Sequence, residues 1–329
     1  MSTLTNWKKL HENHFENQSA LITGGAGFIG SHLASALNEL GAKVTVLDDL
    51  SGGGDPSALP TGVEFVKGSI LDQKLLQKCT AGRRWVFHQA ALGSVPRSIE
   101  QPRLYHEVND GGTLNVLEAA RTAGVQRVMF AASSSAYGDN PTLPKTELMP
   151  ASPLSPYAAN KAAGEALLAA YACSYSVDAI SLRYFNIFGP RQSPDNAYAA
   201  VIAAFAKAMI AGKRPSIYGD GEQSRDFTYV DNVVHANLLS AKRQQRTGGA
   251  IVNIACGKRI TVNELAAQMA KRLGRVDLTP IHAAERAGDV KHSLADLSLA
   301  RQLLGYQPIV DFGPGLDVTM KWYQSVLSK

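Results

Sequence analysis

Ser155-Pro156-Tyr157-Ala158-Ala159-Asn160-Lys161 reads as the start of a helix, with Ser155 as N-cap and Pro156 in the first turn. Tyr157 and Lys161 then stand at i and i+4 on one face. An ammonium beside a phenol favours the phenolate, and a phenol with a lowered pKa can serve as a general base near neutral pH. An isolated Y-x-x-x-K would read more simply as an exposed tyrosine with a solvated lysine. Here a run of hydroxyls, Ser133-Ser134-Ser135, ends an apolar β-type segment upstream. Further back, Gly24, Gly27 and Gly30 follow another such segment.

Those glycines, spaced G-x-x-G-x-x-G, let the backbone turn tightly and bring a pyrophosphate to the positive end of the next helix. Asp48 ends the second apolar run, where a carboxylate accepts ribose hydroxyls and repels a 2′-phosphate. No arginine follows within 49–54, so NAD is expected rather than NADP.

The elements that must position these groups alternate. Strand-like runs at 20–23, 43–47, 63–66, 85–89, 127–131 and 179–185 are separated by helical patterns such as 30–40, 113–123 and 156–171. This predicts an α/β protein with a Rossmann-type doubly wound parallel sheet. Thr23, Asp48, Ser69, residues 89–91, Ser133 and Asn186 fall at the carboxyl ends of its strands, the ligand-binding edge of such sheets. After residue 190 helical patterns dominate (198–211, 231–242, 262–273, 315–327), with a strand-like piece at 251–254. Residues 1–190 are therefore read as a dinucleotide-binding domain with an N-terminal arm over 1–17. Residues 191–329 are read as a smaller, mostly helical α/β lobe for substrate, exchanging a few segments with the first.

Composition narrows the function classes. The 329 residues include 45% hydrophobic and 19% charged, which supports a large core and argues against disorder. Thirty-three basic against 28 acidic residues leave +5, but the cations are dispersed singly or in pairs such as Lys8-Lys9, Arg83-Arg84 and Lys213-Arg214. A small anionic ligand is expected, not nucleic acid. Cys79, Cys173 and Cys256 are too scattered for a metal or redox clip, so no metal is expected. No apolar run reaches the roughly 18 residues of a membrane helix, and residues 1–17 lack the apolar core of a signal peptide, so a cytoplasmic location without membrane contact is expected.

Over nearly its whole length the chain resembles the extended short-chain dehydrogenase/reductases, and among them the bacterial UDP-N-acetylglucosamine 4-epimerases. The resemblance rests on the segments 23–30, 88–96, 133–138, 157–161, 182–186, 197–202, 220–227 and 286–293. It implies Tyr157 as catalytic base, Lys161 as its partner on the nicotinamide ribose, and Ser133 as the hydroxyl bonding the sugar 4-oxygen. For the cofactor it implies Gly24, Gly27, Phe28, Ile29, Gly30, Asp48, Asp49, Ser51, Gly52, Ser69, Ile70, Gln89, Ala90, Ala91, Gly93, Asn109, Tyr184 and Phe185. Ser69 stands where the family usually has Asp, which implies a weaker grip on adenine.

For the UDP-sugar the resemblance implies Gly93, Ser94, Ser133, Ser134, Asn186, Ala200, Val201, Tyr218, Arg225, Arg286, Asp289 and Ser293. In that family the position matching Ser293 gates the sugar's 2-substituent, and the resemblance implies that a serine leaves room for an N-acetyl group. Related dehydratases carry Asp-Glu where this chain has Ser134-Ser135, so water elimination is not expected. A homodimer through the helices at 113–123 and 156–171 is implied as well. Two alternatives stay open: a uronate 4-epimerase or decarboxylase, in which Arg191, Lys291 or His292 would bind a C6 carboxylate, and a non-catalytic NAD-binding sensor.

Overall fold

Seven strands, each apolar along most of its length, form one wholly parallel sheet: β1 (Ser19–Thr23), β2 (Lys43–Asp48), β3 (Glu64–Lys67), β4 (Trp85–His88), β5 (Arg127–Ser133), β6 (Asp178–Tyr184) and β7 (Ile251–Ile254). Their order is β7-β6-β5-β4-β1-β2-β3. The chain runs outward from β1 to β3 and then returns to lay β4 on the other side of β1. That reversal opens a crevice between β1 and β4 at their carboxyl ends. The computed structural model describes residues 4–194, 201–285 and 291–328.

Continuous apolar strands demand cover on both faces. The helices that supply it are α1 (Trp7–His11), α2 (Phe28–Glu39), α3 (Gln73–Thr80), α4 (Gly112–Ala123), α5 (Pro156–Ser174) and α7 (Val230–Lys242), while α6 (Val201–Ile210), α8 (Val262–Arg272) and α9 (Phe312–Leu327) build elsewhere. Strand alternation sorts neighbours to opposite sides. Ile22 and Val46 meet Leu33 and Leu37 of α2 and Val233 of α7 in one core. Leu21 and Leu47 meet Leu76 of α3, Leu117 of α4 and Leu168 of α5 in another. Gly164 lets α5 lie close on the sheet, since a Cβ there would come within 2.6 Å of the Phe130 ring. A third core gathers α6, α8 and α9 around Phe188, Phe227 and Tyr229. Thr261 and Glu264 form the reciprocal capping box that starts α8.

The cores exchange segments of chain across residue 190. Helix α7 and strand β7 come from the second half of the chain yet complete the sheet and its first core, while Phe188 belongs to the third. Buried Arg127 of β5 reaches across the same boundary. It pairs with Asp178 at 2.6 Å and donates to the carbonyls of Ser240, Arg243 and Gln245. The N-terminal arm is built in as well: Trp7 and Phe15 are buried in the first core. Thr5 Oγ1 donates to Asp231 at 2.6 Å, and His11 Nε2 bonds His235 Nδ1 at 3.1 Å. Among the described residues no helix is long and apolar enough to cross a membrane.

Candidate active site

The glycine turn closes the crevice at its β1 side. Gly24 has φ +69°, and a Cβ on it would fall 2.5 Å from the Ala90 nitrogen in the loop after β4. A Cβ on Gly30 would fall 2.3 Å from the Gly24 carbonyl. Gly24 lets the loop after β4 come to backbone distance, and Gly30 lets the glycine turn fold back on its own helix. Gly27 caps α2 without a side-chain bond, which leaves first-turn N–H groups for an anion; Phe28 and Ile29 follow it. A glycine-only cradle, a bare helix N-terminus and a carboxylate at the end of β2 fit an NAD pyrophosphate and ribose.

Asp48 does more than the spacing suggested. Its Oδ2 accepts from Ala26 N–H at 2.9 Å and its Oδ1 from Leu50 N–H at 2.8 Å, so it also braces the glycine loop. Burial raises its pKa against those bonds. Beyond it, Asp49 Oδ1 accepts from the Ser51 N–H at 2.9 Å, and Ser51 and Gly52 are exposed. Ser69 Oγ accepts from Leu71 N–H at 3.2 Å, and Ile70 is buried with its side chain against Gly112.

On the β4 side, Gln89, Ala90, Ala91 and Gly93 line one loop. Tyr184 crosses to it, donating to Gln89 Oε1 at 3.3 Å and accepting from Asn237 at 2.8 Å. Two of the expected cofactor residues also make bonds within the protein. The Asn109 amide is spent on Leu92, accepting from its N–H at 2.9 Å and donating to its carbonyl at 3.1 Å. It therefore holds the loop, with one N–H and one lone pair of the amide left over. The Phe185 side chain is fully buried in the core and its N–H bonds Ile254 at 3.1 Å, which leaves only its carbonyl.

Ser133, Tyr157 and Lys161 converge at the end of β5. Ser155 Oγ accepts from Ala158 N–H at 3.2 Å and starts α5 as expected. Lys161 is buried; its Nζ donates to Ala131 at 2.7 Å and lies 5.9 Å from the Tyr157 ring centroid. Burial lowers its pKa to about 8, with Glu165 and Asp110 pulling upward. The expected depression of the Tyr157 pKa is not found. Burial raises it, the Ser133 hydroxyl draws it partly back, and Tyr105 pushes it up again. Desolvation outweighs the lysine because Lys161 is turned to a backbone carbonyl. Ser133 Oγ also accepts from Ser135, from its hydroxyl at 2.8 Å and its N–H at 3.2 Å; half-buried Ser134 sits between them.

The substrate-side residues gather in part. Asn186, at φ +38°, donates to Ser293 Oγ at 3.1 Å, and Ser293 N–H bonds the Ser224 carbonyl at 3.0 Å. Arg225 adjoins them, donating to the Lys291 carbonyl at 3.1 Å. Ser94 caps the short helix Val95–Glu100, and its N–H bonds the Tyr105 hydroxyl at 3.2 Å. Val201 begins α6 against the third core, and Tyr218 is exposed at the end of Ser216–Tyr218. Ala200, Arg286 and Asp289 lie outside the described residues. Of the cations considered for a C6 carboxylate, Arg191 packs behind α2 with Nη1 3.3 Å from Ser35 Oγ. His292 bonds Ser224 Oγ at 2.9 Å.

Several residues went unremarked in the sequence. Tyr105 touches both Ser94 and the surroundings of Tyr157. Glu165 takes two 2.7 Å bonds from Arg183 directly beneath Lys161. Its place at i+4 from Lys161 was the available signal.

Residues 20–255 match the NAD dependent epimerase/dehydratase family, and the chain belongs to it. It is an NAD-dependent enzyme on a Rossmann-type sheet. Among relatives, a UDP-glucose 4-epimerase of Mycolicibacterium smegmatis is 38% identical over 311 residues, covering 93% of this chain and 98% of that one. A UDP-N-acetylglucosamine 4-epimerase from Methanobrevibacter ruminantium, solved in complex with UDP-N-acetylmuramic acid, superposes with a TM-score of 0.90 at 40% identity, covering 94% and 99% of the two chains. The Thermus thermophilus UDP-glucose 4-epimerase complex with NAD gives 0.84 at 35% identity, covering 94% and 100%.

Proposed function

We propose that this protein interconverts the 4-epimers of UDP-sugars, with UDP-N-acetylglucosamine and UDP-N-acetylgalactosamine preferred and the glucose and galactose pair turned over less well. The observation that carries the reading is the convergence of Ser133, Tyr157 and Lys161 beside the glycine-lined crevice. Tyr157 takes the proton of the 4-hydroxyl and later returns it, with Ser133 bonding the same oxygen. Burial keeps the Tyr157 phenol protonated in the free protein; the positive nicotinamide, when bound, would add its charge to that of Lys161 in favouring the phenolate. NAD, when bound, supplies the hydride acceptor and donor at C4.

Arg225 holds the diphosphate, where a guanidinium fork suits phosphate oxygens. Asn186 and Ser293 border the sugar, and the small Ser293 side chain leaves room at the 2-position. Ser134 and Ser135 supply neither the acid nor the base that water elimination requires. Two copies pair through the helices at 113–123 and 156–171; exposed Leu114 on the first of them supports this.

The test is NMR of purified protein incubated with UDP-N-acetylglucosamine and, separately, with UDP-glucose, without added NAD. The 4-epimer of the acetylated sugar is the expected product. Turnover of UDP-glucose alone removes the reading of Ser293, and silence on both, repeated with NAD, moves the reading to a UDP-uronate enzyme or a non-catalytic NAD-binding sensor.

A further inference from the structure

Three chain segments meet at one fully buried carboxylate. Asp226 Oδ1 accepts from Cys256 N–H at 3.0 Å; Oδ2 accepts from Gly257 N–H at 3.0 Å and from Ala295 N–H at 3.2 Å. The Lys258 N–H contributes a further bond. These donors belong to the turn after β7 and to the stretch that carries Ser293. Asp226 itself follows Arg225, and its carbonyl accepts from Asn186 Nδ2 at 3.5 Å. A neutral side chain could not match this set: a carboxylate has about four lone-pair sites, and four N–H groups point at them.

We propose that Asp226 is the positioning residue of the substrate side, its ionised carboxylate holding Arg225, Ser293 and Asn186 in the one arrangement that grips a UDP-sugar. It touches no reacting atom and acts through those neighbours. The proposal rests on the functional reading above only for the identity of the ligand. Burial raises the Asp226 carboxyl to about 6 despite its four backbone donors. Among the described residues the Cys256 thiol and the Tyr306 phenol face it, both pushed upward and both neutral across this range. Arg225, Lys258 and, through Ser224, His292 stand around it. Protonation of Asp226 therefore removes an acceptor from a donor-rich centre as pH falls through about 6.

The experiment measures UDP-glucose binding by calorimetry on the NAD-loaded protein, because its diphosphate does not titrate between pH 5 and pH 8. Asp226→Asn should weaken binding roughly tenfold at pH 7.5, the effect of losing one or two charge-assisted bonds. Where turnover is measurable, KM should rise by a similar factor with kcat within about twofold. Wild-type affinity should fall below pH 6 while that of the variant stays flat. Asp178→Asn serves as the comparison: Asp178 is also buried and takes N–H bonds from Thr247 and Gly248, at the far end of the sheet. Unchanged binding in Asp226→Asn overturns the proposal, as does a loss no larger than that of Asp178→Asn at equal loss of Tm. If Asp226→Asn does not fold, the wild-type pH dependence decides alone, and a flat profile refutes the role. Binding without turnover in the wild type would refute the epimerase and leave this proposal standing.

Discussion

Replacing Glu165 by Gln tests whether the ion pair beneath Lys161 is part of the chemistry. Glu165 and Arg183 are both 3% exposed in their side chains, and the carboxylate receives two 2.7 Å guanidinium bonds. Breaking a buried pair costs about 3–5 kcal/mol, and an amide oxygen that still accepts one bond puts this case near 3. For a chain of 329 residues that corresponds to a Tm roughly 4 °C lower. The second effect falls on Lys161, whose pKa of about 8 is held up by Glu165 against burial. A unit charge one helical turn away, about 6 Å, is worth roughly 3 kcal/mol at an effective dielectric near 20. Partial cancellation by Arg183 leaves a downward shift of about one pH unit.

The alkaline limb of the kcat profile should therefore move from near pH 8 to about pH 7, costing about threefold in kcat at pH 7.5 and little at pH 6.5. The assay is NMR- or coupled-rate measurement of epimerisation across pH 6–9, with melting curves alongside. A Tm that falls while the limb stays in place refutes the electrostatic link and leaves the pair purely structural.

Four more outcomes follow from the geometry. Ser293→Tyr should cut turnover of the acetylated pair at least about tenfold more than that of the glucose pair, and equal loss on both defeats the idea of a gate. Tyr157→Phe should lower kcat by about 10²–10⁴ while copurifying NAD, read by absorbance, is retained; near-normal turnover would place the base elsewhere. His11 and His235 are held down to about 3 and about 4 by burial, so the unfolded chain binds protons below pH 6.5 that the native one refuses. Stability from this pair is thus complete above about pH 6.5 and drains away toward pH 4; His11→Phe should lose less Tm than wild type between pH 7.5 and pH 5, and parallel losses would exclude the pair as the cause. A fragment ending at residue 190 should aggregate in light scattering where the full chain stays monodisperse, for the reasons given at the close.

Much of the scaffold was legible because it is local. Apolar runs of strand length, the glycine turn, Ser155 with Pro156, and the Thr261–Glu264 box each lie within a few residues of sequence and carry their geometry with them. Strand β7 was visible as a run, but its place beside β6 was not, since pairing across so many intervening residues leaves no periodic trace. The site divides the same way. Tyr157 and Lys161 announce themselves through one helical turn, whereas Asp226, Tyr105 and the loop-holding role of Asn109 depend on which distant backbone groups fold against them. Burial accounts for the one electrostatic expectation that failed: the i+4 spacing showed that Lys161 neighbours Tyr157, but not that Ala131 would claim its ammonium or that desolvation would dominate the phenol.

The late arrival of β7 also governs how this protein can be made. When a ribosome has released β1 through β6, the outer side of β6 is a bare template for any passing strand. Arg127 at that stage still lacks the three carbonyls, Ser240, Arg243 and Gln245, that later surround it. Neither defect is repaired until α7 and β7 have emerged, so the nascent chain carries an open sheet edge from the end of β6 at Tyr184 to the arrival of β7 at Ile251. The stretch that carries Ser293 emerges later still, so the glycine turn at Gly24–Gly30 is synthesised long before the Asn186 side chain can meet its Ser293 partner.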